Sequence, residues 1–97
     1  MDSMLCSTVL GTLGQPTRFE ILKLVAGYSK GAKPQGIQAG EIARRLGLAP
    51  TTLSFHLKEM THRGLLVPVR SGRTIAYRAE LALLLAVLED VVSSICE

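Results

Sequence analysis

The sequence predicts a single small domain that is mainly α-helical and carries one β-hairpin. The chain has 97 residues, which is enough for one modest hydrophobic core and too short for two domains. Five segments place apolar residues at helical spacing, and one further segment is rich in β-branched residues around a Ser-Gly turn. We therefore expect residues 1–97 to form one domain of five helices and a hairpin.

The N-terminal part predicts two helices followed by a loop. Apolar residues at helical spacing cover residues 3–13, and the sequence LGQP ends that pattern. The second helix is expected to start at Pro16 and to end at Gly27, since proline favours the first helical position and glycine favours the C-terminal end. Residues 28–38, YSKGAKPQGIQ, are rich in Gly, Lys and Pro and offer almost nothing to bury, so we expect a flexible connection there.

Two short helices follow, joined by the sequence GLAP, and a hairpin comes after them. The first of these helices, AGEIARRLGL, ends at Gly47, and the second begins with Pro50 in its first turn. The hairpin is predicted with strands over residues 65–69 and 73–78, and Pro68 makes the first of them a short or edge strand. This order of elements is that of a winged helix-turn-helix, in which the hairpin is the wing.

The last helix is predicted over Leu81–Ile95 and is apolar on more than one side. Leu83 and Val87 lie away from the main apolar stripe, and a helix of this kind must be buried on more than one side. Because 47% of the residues are apolar and the mean hydropathy is +0.31, we expect a homodimer held by the first and last helices. The stripe consists of Leu81, Leu84, Leu85, Leu88, Val91, Val92 and Ile95.

The sequence favours a cytoplasmic protein with no membrane partner. No apolar run approaches the roughly 20 residues that cross a bilayer. The first residues, MDSMLCSTVLGTLG, also lack the basic start of a secretory signal.

An unusual polar and aromatic face lies on the predicted helix within APTTLSFHLKEMTHRG. At 100° per residue, Leu53, Leu57 and Met60 share the side that faces the core. Hydroxyl and ammonium groups on the other side suit base edges and phosphates, and a phenyl ring suits a thymine methyl, which predicts a helix that reads the DNA major groove. Phe55 packed under a neighbouring loop is the alternative, and His56 either bonds a backbone group or contacts a phosphate. The candidate contacts are Thr51, Thr52, Ser54, Phe55, His56 and Lys58.

The charge distribution supports a polyanion partner. Residues 44–78 carry seven Lys and Arg against Glu59 alone, a balance of 7 − 1 = +6, whereas residues 79–97 carry four acidic residues and no basic one. At the hairpin tip, Arg70, Arg73 and Thr74 are expected to lie beside the DNA backbone or in the minor groove. The alternative is a solvated basic surface without a ligand.

Three stretches carry a resemblance to a known family: LGQPTRFEILKLV, EIARRLGLAPTTLSFHLKEMTHRGLL and VRSGRTIAYR. Over residues 8–90 the chain resembles the ArsR/SmtB family of bacterial winged-helix repressors. The resemblance implies a homodimer that binds an inverted-repeat operator in double-stranded DNA and leaves it when an inducer arrives. Ala49 and Pro50 replace the family's frequent Ser and Gln, which removes one side-chain cap and one base reader. As contacts the resemblance implies Thr51, Thr52, Ser54, His56, Lys58 and, on the wing, Arg73.

For an inducer site, the sequence offers two cysteines. The Cys-x-Cys that the family's arsenic and cadmium members often carry near the first DNA-binding helix is missing, and the last helix has no His for zinc or nickel. No metal is therefore assigned. Cys6 and Cys96 remain, on the two helices expected to form the dimer, as a candidate sensor of trivalent arsenic or of reactive sulfur or oxidant species. The alternative is two unrelated thiols.

The sequence also bears on two other functional classes. A winged-helix module that binds protein instead of DNA would also make use of an exposed Phe55. An enzyme is not expected, because no nucleophile, base and oxyanion donor can be placed together from these residues.

Overall fold

The computed structural model describes residues 2–28 and 36–96. Within these residues the chain forms five helices and a three-stranded antiparallel sheet, which confirms the predicted winged helix-turn-helix. The elements are α1 (Ser3–Leu13), α2 (Pro16–Tyr28), β1 (Ile37–Gln38), α3 (Ala39–Leu46), α4 (Pro50–His62), β2 (Leu66–Ser71), β3 (Thr74–Ala79) and α5 (Leu81–Ile95).

The short strand β1 corrects the prediction that residues 28–38 form only a loop. Ile37 pairs with Tyr77 of β3, and its side chain is only 3% exposed, so this segment does bury a residue. A two-residue strand is too short to produce a periodic pattern, and its partner lies far along the chain, which is why the sequence did not reveal it. Residues 29–35 of the predicted loop lie outside the described residues.

The sheet has the order β1-β3-β2, so β2 is an edge strand as Pro68 predicted. Ser71 lies opposite Thr74, which leaves Gly72 and Arg73 as the two residues of the turn. Gly72 has a φ of +61°, the positive value that a type II′ hairpin turn requires at its first central position. The hairpin tip is thus a tight turn that projects Arg73.

One hydrophobic core joins α2, α3, α4 and the sheet and extends to α1 and α5. Leu53, Leu57 and Met60 are buried, as the helical spacing predicted. Because these three residues fix the inner side of α4, its opposite side must face outward.

The helices α1 and α5 pack on each other and leave a large apolar surface uncovered. Val9 of α1 and Val87 of α5 are completely buried. Of the two α5 residues off the main stripe, Val87 thus packs inside the chain, whereas Leu83 is half-buried. Leu84 and Val91 of the stripe are half-buried. Ten large hydrophobic side chains of the described residues are exposed, and seven of them lie on these two helices. These seven, named here the α1–α5 apolar face, are Met4, Leu5, Leu81, Leu85, Leu88, Val92 and Ile95.

Candidate nucleic-acid interface

The turn between α3 and α4 is set by one glycine. Gly47 has a φ of +65° in the left-handed region, and its N–H bonds to the carbonyl of Ala43 at the end of α3. The chain then enters α4 at Pro50, whose fixed φ suits a first helical position. Ala49 provides no side-chain cap, so the first backbone N–H groups of α4 have no side-chain acceptor.

The outward side of α4 presents the residue types that the sequence analysis singled out. Phe55 is 57% exposed, so it is not clamped under a neighbouring loop. His56 is half-buried at the edge of this surface. The structure therefore brings the candidate contacts of α4 to one side of the molecule, with Thr51, Thr52, Ser54, Phe55 and Lys58 exposed.

Arg18 of α2 supports this face and was missed by the sequence analysis. Its Nε donates a hydrogen bond of 3.0 Å to Nδ1 of His56, and its guanidinium carbon lies 5.7 Å from the centroid of the Phe55 ring. The pKa of His56 is lowered, first by burial and then by the positive charge of Arg18. A signal was present in the sequence, because Arg18 stands at helical spacing with Ile21, Leu22 and Val25, which are all buried.

The wing tip presents two arginines and one hydroxyl that is already engaged. Arg70 and Arg73 are exposed, and neither forms an ion pair with another residue in the described ranges. Thr74 donates its hydroxyl proton to the carbonyl of Ser71 at 2.8 Å. Thr74 thus stabilises the turn, while the two guanidinium groups remain available for an anion.

Glu41 offsets one unit of the positive charge of two arginines counted in the basic stretch. Glu41 accepts hydrogen bonds from Arg44 and from Arg45, whose Nε lies 2.7 Å from Oε1. These bonds, more than the charges alone, lower the pKa of Glu41 to about 2. The Arg45 guanidinium also lies 4.8 Å from the centre of the Tyr28 ring. Residues 41–78 carry a balance of 7 − 2 = +5. Within the described residues, Lys58 of α4 and Arg70 and Arg73 of the wing tip are exposed and form no ion pair.

The two thiols lie in different surroundings. Cys6 is buried in α1 and donates to Oδ2 of Asp90 at 3.5 Å, whereas Cys96 is exposed. Burial, followed by the hydrogen bond and the charge of Asp90, raises the pKa of Cys6. Cys96 follows Asp90 by six residues, which is about 9 Å along a helix.

A groove of about 280 Å³ runs between α1 and α5 beside Cys6. Its walls combine hydroxyl, carboxylate and apolar side chains. They consist of Ser3, Cys6, Ser7, Leu10, Asp90, Val91, Ser94 and Ile95.

The described residues show neither a metal-binding cluster nor a helix that could span a membrane. They contain no group of three or more His, Cys, Asp or Glu side chains that could hold a metal ion. In the same part of the chain, every helix is too short or too polar to cross a bilayer.

The chain is similar in fold to known transcription regulators. A family model described as a helix-turn-helix domain matches residues 13–69. An ArsR-like transcriptional regulator from Rhodococcus is 27% identical, with a TM-score of 0.79 over 93% of this chain and 78% of that one. A homodimeric winged helix-turn-helix DNA-binding domain of a possible ArsR-family regulator from Mycobacterium bovis is 26% identical, with a TM-score of 0.69 over 96% of this chain and 82% of that one. The transcriptional repressor BigR from Xylella fastidiosa shares the fold at 21% identity, with a TM-score of 0.67 over 94% and 86% of the two chains. Among curated proteins there is no match.

The fold and the outward side of α4 define a DNA-binding transcription regulator of the winged helix-turn-helix class. The chain belongs to the helix-turn-helix domain family, and within that class it is a member of the ArsR/SmtB family.

Proposed function

We propose that the protein is a homodimeric repressor that binds an inverted-repeat operator through α4 and the wing and releases it when an effector binds. The observation that carries this proposal is the exposed polar and aromatic side of α4 beside a wing tip with two unpaired arginines. A second α4 related by twofold symmetry would read the other half-site of the operator.

The side chains of α4 have different roles in DNA binding according to their chemistry. The hydroxyls of Thr51, Thr52 and Ser54 bond base edges and phosphates, and Phe55 packs on a thymine methyl. Lys58 neutralises a phosphate and positions the helix without reading sequence. His56 accepts from Arg18 at Nδ1, so in its neutral form its proton lies on Nε2, where it can be donated to the DNA.

The wing supplies charge next to the groove in which α4 lies. Arg70 and Arg73 neutralise backbone phosphates or enter the minor groove. Thr74 contributes by holding the turn that projects Arg73, since its hydroxyl proton is donated to Ser71.

The α1–α5 apolar face supports a homodimer. Seven exposed large hydrophobic side chains lie on these two adjacent helices, and a group of exposed apolar side chains of this kind favours an interaction surface. The similar domain from Mycobacterium bovis is homodimeric. We expect Leu85→Glu to yield monomers in size-exclusion chromatography with light scattering and to weaken operator binding. Phe19→Glu, which alters an exposed apolar residue outside that face, serves as the control, and a Leu85→Glu protein that stays dimeric contradicts this interface.

DNA reading is tested by selection of bound duplexes from a random-sequence pool. We expect enrichment of an inverted repeat whose half-sites lie about one helical turn of DNA apart. Enrichment of no sequence, with capture of protein partners instead, would indicate the alternative function of a winged-helix protein-interaction module.

For the effector, we propose a trivalent arsenical bound by Cys6 and Cys96. Oxidants and reactive sulfur species are the alternative effectors, because they also react at a thiol sulfur. An organoarsenic dihydroxide would exchange its two hydroxides for the two cysteine sulfurs: two As–O bonds break, two As–S bonds form, and the two thiol protons leave with the hydroxides as two waters. Because Cys6 lies on α1 and Cys96 at the end of α5, the two helices of the expected interface, we place this pairing across the dimer, where it would shift α1 against α5 and change the spacing of the two α4 helices.

A further inference from the structure

Arg18 is a buried cation without a carboxylate partner in the described part of the chain. Its side chain is 6% exposed, and the ion pairs among the described residues do not include it. Burying a charge is unfavourable unless other groups compensate for the lost hydration. The partners that Arg18 does have are two consecutive residues of α4, His56 and Phe55. A charge kept in this position therefore acts on the recognition helix.

The planar guanidinium group of Arg18 contacts both His56 and Phe55. The Arg18 Nε–H bond to His56 is 3.0 Å long, a normal hydrogen bond, and the guanidinium carbon lies 5.7 Å from the Phe55 ring centroid, within reach of a cation–π interaction. The rings of Phe55 and His56 meet edge to face, with centroids 6.1 Å apart and planes at 64°. These contacts restrict two side chains that an exposed helix surface would otherwise leave free to change rotamer.

Fixing these side chains before DNA arrives affects sequence discrimination. Ordering a rotamer-rich side chain at an interface opposes binding, and a contact that is already ordered in the free protein avoids that loss. The bond to Nδ1 also selects the Nε2–H form of neutral His56, so this side chain can present a hydrogen-bond donor in one defined direction.

We propose that Arg18, which lies in α2 outside the helix-turn-helix, is a specificity-determining positioning residue that fixes the Phe55 ring and the His56 tautomer for operator reading. This inference rests on the proposed function, in which α4 reads the operator. It assigns Arg18 no direct contact with phosphate, which distinguishes it from Lys58 and the wing arginines.

The test uses the full chain as wild type, Arg18→Lys and Arg18→Gln, with Lys23→Gln as a matched control that removes a cation from the same helix. The probes are the duplex most enriched by the wild-type protein and a random-sequence duplex. We expect the ratio of the two affinities to fall by about tenfold in both Arg18 variants, near the lower end of the loss for one base-reading contact. The slope of log affinity against log salt should stay unchanged. A slope reduced by about one for each protomer would show a phosphate contact and overturn the proposal.

A double-mutant cycle tests whether Arg18 acts through its two partners. In a Phe55→Leu, His56→Gln background, Arg18→Lys should no longer change the affinity ratio, because the groups that it positions are absent. Additive losses would overturn the proposal. Circular dichroism confirms that each variant is folded, and Arg18→Lys keeps the test valid if Arg18→Gln does not fold.

Nitrogen-15 NMR of the free protein gives a readout that is independent of DNA. Wild-type His56 should show a protonated Nε2 and an acceptor Nδ1, and Arg18→Gln should show a mixture of both tautomers. An unchanged tautomer in Arg18→Gln would overturn the proposal. A wild-type protein that selects no sequence would refute the proposed function instead, and the NMR result would still decide whether Arg18 positions His56.

Discussion

Salt dependence is the most direct quantitative test of the DNA-binding surface. The cations exposed on α4 and at the wing tip are Lys58, Arg70 and Arg73, and none of them pairs with a carboxylate of the described residues. Three per protomer give about six phosphate contacts per dimer, so log affinity should fall against log salt with a slope of about −5. Between about 50 and 200 mM salt, affinity should therefore decrease by about a thousandfold.

Substituting one wing arginine should change this slope by a defined amount. Arg73→Gln removes one contact from each protomer, so the slope should become about −3.5, while the loss of affinity is similar for all sequences. Fluorescence anisotropy of a labelled operator duplex at four salt concentrations measures both quantities. Lys23→Gln, whose lysine pairs with Glu20 on α2, should leave the slope unchanged. A wild-type slope shallower than about −2, or an Arg73→Gln slope equal to that of wild type, would refute the assignment of these cations to phosphates.

Three further perturbations test other parts of the molecule. Phe55→Ala should change the free energy of unfolding by less than about 0.5 kcal/mol, because the ring is exposed. The same substitution should weaken operator binding by about 1–3 kcal/mol. Met60→Ala, on the buried side of α4, should instead lower the free energy of unfolding by about 2–5 kcal/mol in a urea titration. The pKa of Glu41 is lowered from 4.5 to about 2, so its ion pairs stabilise the fold fully above pH 4.5 and are lost as the pH falls through about 2. The melting-temperature difference between wild type and Glu41→Gln should accordingly shrink over that interval, and a difference independent of pH would contradict this assignment. Cys6→Ser and Cys96→Ser should each prevent release of the operator by phenylarsine oxide. An anisotropy assay measures this release and compares it with arsenite, peroxide and polysulfide. Normal release from both variants would exclude the thiols as the sensor.

Local features of the sequence determined most of the architecture. The helical spacing of Leu53, Leu57 and Met60 identified the buried side of α4 and predicted Phe55 on the opposite side. The tertiary structure was needed to exclude a neighbouring loop that covers Phe55. Pro68 indicated the edge strand, and the Ser-Gly turn located the wing. These inferences succeeded because periodicity and turn chemistry act over a few residues and need no knowledge of distant partners.

The tertiary structure decided which distant residues meet. The bond from Arg18 to His56 and the pairing of Ile37 with Tyr77 both join segments that are far apart in sequence. Both depend on how helices and strands pack, which no local pattern specifies. The same holds for Cys6: its burial beside Asp90, and hence the raised pKa of its thiol, follows only from the packing of α1 on α5. The sequence by itself thus determined the elements and their outward faces, whereas their packing determined the chemical environment of each side chain, because hydration, charge and hydrogen bonding depend on neighbours in space.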